Sequence, residues 1–375
     1  MQPLTGIRVL DFSTLLPGPM ATLLLADAGA EVIKIERPTG EEMRGYQPKI
    51  GNESVNFGLL NAGKRSLAID LKAPGSIEKL KPLIASADIV IEQFRPGVMD
   101  RLGLGYEALK AINPRIIYCA ITGYGQTGPK AQVAAHDLNY VAESGLLAIA
   151  ADSTGSPVVP PALIADIAGG AYPAVMNVLL ALRQRDQTGE GCKIDVSMSD
   201  NMFTFLYWAM GEGFSSGKWP KPGGGLIAGG SPRYQIYRTA DKKFVAAAPL
   251  EQKFWENFCE LLGLEKSLRD DRIDINATKR GVATIISKDT AAVWAERFVG
   301  KDICCCIVKS IEEATQDPHF VGRGLFARSL TVGGRQISGP FTPIDPAFRN
   351  ANDALKFPVL ANDNAKLFPP LQGEG

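Results

Sequence analysis

Ile7-Arg8-Val9-Leu10-Asp11-Phe12 is a short apolar run, and Pro19 to Ala28 follows it with helical character. Gly29 then stops the helix, since glycine readily takes the left-handed conformation that ends one. Val32-Ile33-Lys34-Ile35 is the next apolar run. Strand, helix and strand in that order make a crossover unit, which pairs its strands in parallel. The pattern continues outward from there. Ser66 to Leu71 reads as a third strand, Ile77 to Ser86 as a helix and Asp88 to Glu92 as a fourth strand. Tyr106 to Ile112 is helical, and Ile116 to Thr122 is a fifth strand. The expected fold class is α/β, a Rossmann-like doubly wound parallel sheet in a large domain. Ligands of such sheets sit beyond the carboxyl ends of the strands.

At 375 residues the chain can bury a large core and form two domains. Lys plus Arg and Asp plus Glu number 40 each. With no excess charge, a nucleic-acid partner is not expected. No apolar run approaches the roughly 18 residues that span a membrane, and no signal-peptide pattern opens the chain, so it reads as cytoplasmic. The six cysteines form no CxxC pair and have no histidine cluster beside them, which argues against a metal site. Cys304-Cys305-Cys306 lies in the apolar run Ile303 to Val308 and reads as a buried strand.

Composition changes after Trp208. Gly211 to Gly230 is rich in Gly, Lys and Pro and reads as a linker or mobile loop. Tyr234 to Arg238 and Phe244 to Ala248 read as two strands around Ala240-Asp241-Lys242-Lys243. Gln252 to Leu262 is an amphipathic helix carrying Phe254, Trp255 and Phe258. The expected organisation is a large domain over 1–210, a linker over 211–227, a small α+β domain over 228–324 and a C-terminal segment over 325–375. The tail from Pro346, rich in Asn, Pro and Gly, reads as extended.

One of the two histidines stands in Ala134-Ala135-His136-Asp137-Leu138-Asn139-Tyr140. Thirty positions on, Asp166 stands in Leu163-Ile164-Ala165-Asp166-Ile167-Ala168-Gly169-Gly170 and reads as a carboxylate on a loop leading into a helix. Histidine and carboxylate are the common proton carriers near neutral pH. The same residues also fit plain structural duty, Asp166 as a helix N-cap and His136 as a core histidine. The turn after the first strand, Ser13-Thr14-Leu15-Leu16-Pro17-Gly18-Pro19, lacks the three-glycine spacing of dinucleotide folds, and there is no Walker A run. A nicotinamide or nucleoside-triphosphate enzyme is disfavoured on that ground.

His136-Asp137-x-Asn139-Tyr140 followed by Ala165-Asp166-x-x-Gly169-Gly170 resembles the α-methylacyl-CoA racemases, within the class III CoA-transferase (CaiB/BaiF) family. Further ordered stretches share the resemblance: Leu25 to Pro38, Asn61 to Lys72, Phe94-Arg95-Pro96-Gly97 and Thr122 to Pro129. The last forty residues carry little of it. The resemblance implies an interlocked homodimer whose active sites use both chains, with the terminal segments completing the large domain. It implies an acyl-CoA substrate, with coenzyme A as part of the thioester and no prosthetic group.

Coenzyme A carries a 3′-phosphate and a pyrophosphate, which call for Arg, Lys or backbone N–H groups. Arg37, Arg95 and the Gly123-Tyr124-Gly125 loop each follow a strand, on the side where ligands bind. The resemblance implies contact between Arg37 and the adenosine end, and Arg65 rests on the resemblance alone. Glu251, in Pro249-Leu250-Glu251-Gln252, fits a helix N-terminal acid favoured by the dipole. The resemblance implies a third catalytic residue there, one that orients and tunes His136. Racemisation would then run by α-proton removal by His136 from one enantiomer and by Asp166 from the other, through an enolate. The alternative is a transferase in which Asp166 is the nucleophile and carries CoA as an aspartyl thioester. A third is a protein that binds acyl-CoA without turning it over.

Overall fold

The computed structural model describes residues 2–152, 154–349 and 354–368. The chain divides into two compact units. The first comprises Met1–Ser144, Pro161–Thr204 and Pro318–Gly375; the second comprises Gly145–Pro160 and Phe205–Asp317.

The first unit is built on a six-stranded sheet: β1 (Arg8–Asp11), β2 (Glu31–Glu36), β3 (Arg65–Ala68), β4 (Ile89–Glu92), β5 (Ile117–Thr122) and β6 (Lys193–Ser197). The spatial order is β3-β2-β1-β4-β5-β6, with every neighbouring pair parallel. This is the doubly wound order, and its switch point lies between β1 and β4. Helices α1 (Pro17–Asp27), α2 (Ser76–Ala85) and α3 (Tyr106–Ile112) form the early crossovers. One sheet face buries Leu10, Ile33 and Leu67 with Leu80 and Ile84 of α2 and Leu109 of α3. Alternating strand positions supply that face, as the period of two requires.

Helices α4 (Asp137–Glu143) and α5 (Tyr172–Thr188) belong to the same unit. Seven residues of π-helix, Ala165–Ala171, run directly into α5. The combined helix Ala165–Thr188 is long and apolar enough to cross a membrane, unlike any run expected from the sequence. Its helical continuity through Gly169 and Gly170 makes the difference. Ala174, Val175, Val178, Ala181 and Leu182 on it are buried within the fold.

The second unit holds an antiparallel sheet of β7 (Gln235–Arg238), β8 (Phe244–Ala247) and β9 (Cys305–Ile307), with helices α6 (Tyr207–Ser216) and α7 (Gln252–Leu262). Its core gathers Tyr237, Val245, Trp255, Phe258 and Trp294. Three sequence expectations change here. Part of the stretch read as a linker is helical, since α6 extends to Ser216, and Leu226–Gly230 is a kinked turn with Ala228 and Gly229 outside helical φ/ψ. Gly145–Pro160 belongs to this unit rather than to a continuous large domain, and Gly223 N–H donates to Ile149 O at 2.9 Å within it. The cysteine run is an edge strand, not a buried one: Cys304 and Cys306 are exposed and only Cys305 packs against the core.

The tail is not simply extended. In the first unit, β10 (Ser329–Val332) pairs antiparallel with β11 (Arg335–Ser338) and parallel with β12 (Ala354–Lys356). Beyond it, Asn364 covers the free edge of β3: its side chain accepts from Ala68 N–H at 2.9 Å and donates to Ala68 O at 2.8 Å. An edge strand is thereby capped against stray pairing. Residues 350–353 and 369–375 of the expected extended tail lie outside the described residues.

Candidate active site

Asp166 sits on the π-helical turn at the head of α5, not at an N-cap, and its carboxyl caps nothing. π-turns leave the regular hydrogen-bond ladder locally loosened and recur at functional sites. Its backbone N–H donates to Asp137 Oδ1 at 2.9 Å. Burial, and after it the charge of Asp137, pushes the Asp166 carboxyl up to about 7. A carboxyl that titrates there exchanges protons readily near neutral pH.

Asp137 opens α4, and His136 is the residue before it. His136 is exposed, which removes the core-histidine reading, while Asp137 is buried. Asn139 Oδ1 accepts the His136 backbone N–H at 3.0 Å and so closes the helix start. The Asp137–Asp166 hydrogen bond thus ties the histidine's helix to the aspartate's turn.

Two glycines make this approach possible. A Cβ at Gly169 would stand 2.5 Å from Met202 Cε and 2.8 Å from Met198 O, so only glycine lets the π-turn pack there. A Cβ at Gly123 would stand 2.4 Å from Tyr140 Oη. Tyr140 lies edge-on to Tyr124 at 5.2 Å and donates its hydroxyl to Ala135 O at 2.8 Å. Gly125 takes φ +81°, and the next residue, Gln126, donates its N–H to Asp195 Oδ2. The Gly123-Tyr124-Gly125 loop therefore follows β5 at its carboxyl end and packs against α4.

The arginines divide. Arg37 follows β2, is exposed, and donates Nε to Gly40 O at 2.6 Å. Arg95 is exposed in the turn after β4, and its guanidinium has no partner among the described residues. That turn is held by buried Glu92, which accepts Phe94 N–H at 2.7 Å. Arg65 starts β3, at the amino end of that edge strand, where its guanidinium pairs with Glu31 and with Asp363 at 3.1 Å. Glu251 belongs to the second unit, is exposed, and precedes α7 without a side-chain cap bond. Among the described residues, no cluster of His, Cys, Asp and Glu has a metal-binding arrangement.

Residues 4–364 match the model of CoA-transferase family III. The chain belongs to CoA-transferase family III. It is 34% identical over 353 residues to the human alpha-methylacyl-CoA racemase, covering 92% of this chain and 89% of that protein. It is also 34% identical over 351 residues to the acetyl-CoA:oxalate CoA-transferase of Acetobacter aceti, covering 90% and 88%. A CAIB/BAIF family protein from Brucella suis matches the fold with a TM-score of 0.80 at 30% identity, covering 98% of each chain. A racemase and a CoA-transferase thus resemble this chain at similar identity. The feature that sequence reading left open is Asp137, whose bond to Asp166 joins positions far apart in the chain.

Proposed function

We propose that this family III enzyme racemises 2-methylacyl-CoA thioesters, with His136 and Asp166 as the two proton carriers. The observation that carries this reading is the Asp137 carboxylate on the Asp166 amide at 2.9 Å, which couples the histidine's helix start to the aspartate's turn. Racemisation needs two acid–base groups about one carbon, and an imidazole together with a carboxyl that titrates near neutrality supplies them. The α-proton leaves to one group, the electrons settle on the thioester oxygen as an enolate, and the other group returns a proton to the opposite face. Unpartnered amides in the first turn of α4 supply hydrogen bonds to the enolate oxygen. Glu251 acts from the partner chain of a homodimer to orient His136. Arg37, Arg95 and Gly123-Tyr124-Gly125 hold the CoA moiety, with Arg65 bracing the sheet edge.

The transferase reading keeps Asp166 but makes it a nucleophile, and the similarity to the Acetobacter aceti enzyme favours it. Incubation with (R)- or (S)-2-methylacyl-CoA in D2O, without an acceptor acid, separates the two. Deuterium at C2 with loss of chirality is expected. CoA transfer to an added acid with no C2 exchange would overturn the racemase reading.

A further inference from the structure

The turn after β2 that carries Arg37 is held by a residue the proposed chemistry does not use. Arg37 Nε donates to Gly40 O at 2.6 Å, and Gly40 N–H donates back to Arg37 O at 2.8 Å, so the turn over 37–40 is closed by two bonds. Arg37 is exposed, and its two terminal nitrogens have no partner among the described residues. Gly40 is buried and takes φ +77°, in the left-handed region. A Cβ on it would stand 2.6 Å from Arg44 Cδ and 3.4 Å from Leu360 Cδ2. The turn therefore rests on Arg44 and on a segment that returns from the far end of the chain.

Every guanidinium nitrogen of Arg44 is engaged with protein. Nε and Nη2 donate to the two carboxylate oxygens of Glu36 at 2.7 Å each, and Nη1 donates to Pro358 O at 3.0 Å. The guanidinium carbon lies 3.9 Å from the centre of the Phe57 ring and 5.7 Å from that of Phe357. Forked pairing fixes the plane of a guanidinium as well as its charge. Glu36 is buried and is the last residue of β2, immediately before Arg37. Arg44 thus joins the end of the strand, the turn that follows it and a strap over 357–360. Arg37 keeps terminal nitrogens free for a ligand and Arg44 keeps none, so the contribution of Arg44 is geometry. A turn already fixed in shape spares an anionic ligand the cost of ordering it.

We infer that Arg44 and the strap over 357–360 are positioning elements for Arg37: they hold the 37–40 turn so that Arg37 meets the 3′-phosphate at the adenosine end of CoA. The inference rests on the reading of Arg37 as a CoA contact given above. It gives the C-terminal segment a part in ligand recognition, through Phe357, Pro358 O and Leu360, besides its part in capping the sheet edge.

The test is calorimetric binding of CoA and of 3′-dephospho-CoA to the full chain. The wild type should prefer CoA about tenfold, and Arg37→Ala should bring the two ligands level. Arg44→Lys keeps the charge and loses the fork. It should weaken CoA binding about tenfold and change 3′-dephospho-CoA binding less than about twofold. Phe357→Leu keeps an apolar side chain and removes one ring from beside the guanidinium. It should weaken CoA binding about threefold, again selectively, and it carries the test where Arg44→Lys does not fold. Equal weakening for both ligands makes Arg44 a general structural residue and overturns the inference. A selective loss in Arg37→Ala, with both affinities unaltered in Arg44→Lys and Phe357→Leu, overturns the inference alone. An Arg37→Ala protein that still prefers CoA overturns the reading of Arg37 and the inference with it.

Discussion

Asp166 is the residue whose environment decides its chemistry. Burial and the neighbouring Asp137 raise its carboxyl to about 7. Removing the Asp137 charge lowers that value. Asp137→Asn keeps an acceptor for the Asp166 N–H and removes the charge. The pH–rate profile for the enantiomer that Asp166 deprotonates should therefore shift its lower limb to more acidic pH. An unmoved limb would mean that Asp166 does not titrate in that step. The same shift bears on stability. Because the folded value exceeds the unfolded one, the native state holds the extra proton between about 4 and about 7, and stability falls as pH rises through that window. Asp166→Asn should be the more stable protein at pH 8, by at most about 4 kcal/mol, and the gap should close near pH 4. Denaturant titrations at the two pH values check this. At this scale the sequence offers His136 and Asp166 as candidates, because their residue types and order are local facts. The Asp137–Asp166 bond was not, because it joins positions 29 apart in the chain.

At the scale of elements, the early strands and helices were legible nearly to the residue. Tyr106 to Ile112 and Gln252 to Leu262 form the helices their apolar spacing implies. The first crossover unit also follows its reading closely. Short apolar runs between turn signals are a local pattern, and the parallel sheet follows from their alternation. The π-turn carries no such signal, since glycines in a helical run read as breaks. Its packing against Met198 and Met202 makes those glycines necessary. Gly169→Ala should displace the turn, lower kcat/KM at least tenfold and cost about 1–3 kcal/mol in stability. Wild-type activity in that variant would detach the turn from catalysis. The capped sheet edge gives a separate check. Asn364→Ala removes both bonds to Ala68. It should cost about 1–2 kcal/mol and speed hydrogen exchange at the Ala68 amide, with catalysis unchanged.

For the molecule as a whole, the two-unit division was only partly legible. Gly145–Pro160 leaves the first unit and returns at Pro161, a detour that contacts establish and composition does not signal. Large apolar side chains stay exposed on both units, among them Leu180 on α5 and Phe214 on α6. The proposed homodimer would cover part of this surface. Sedimentation should accordingly give twice the 40.2 kDa chain mass, and a monomer would remove the partner's Glu251 from the mechanism. In the proposed reaction His136 and Asp166 face opposite sides of one carbon. Deuterium incorporation at C2 of each enantiomer by His136→Ala and Asp166→Asn tests it most directly. Neither variant should racemise, and each should still exchange the one enantiomer served by its remaining base, with retained configuration. Racemisation by either variant at the wild-type rate would contradict it.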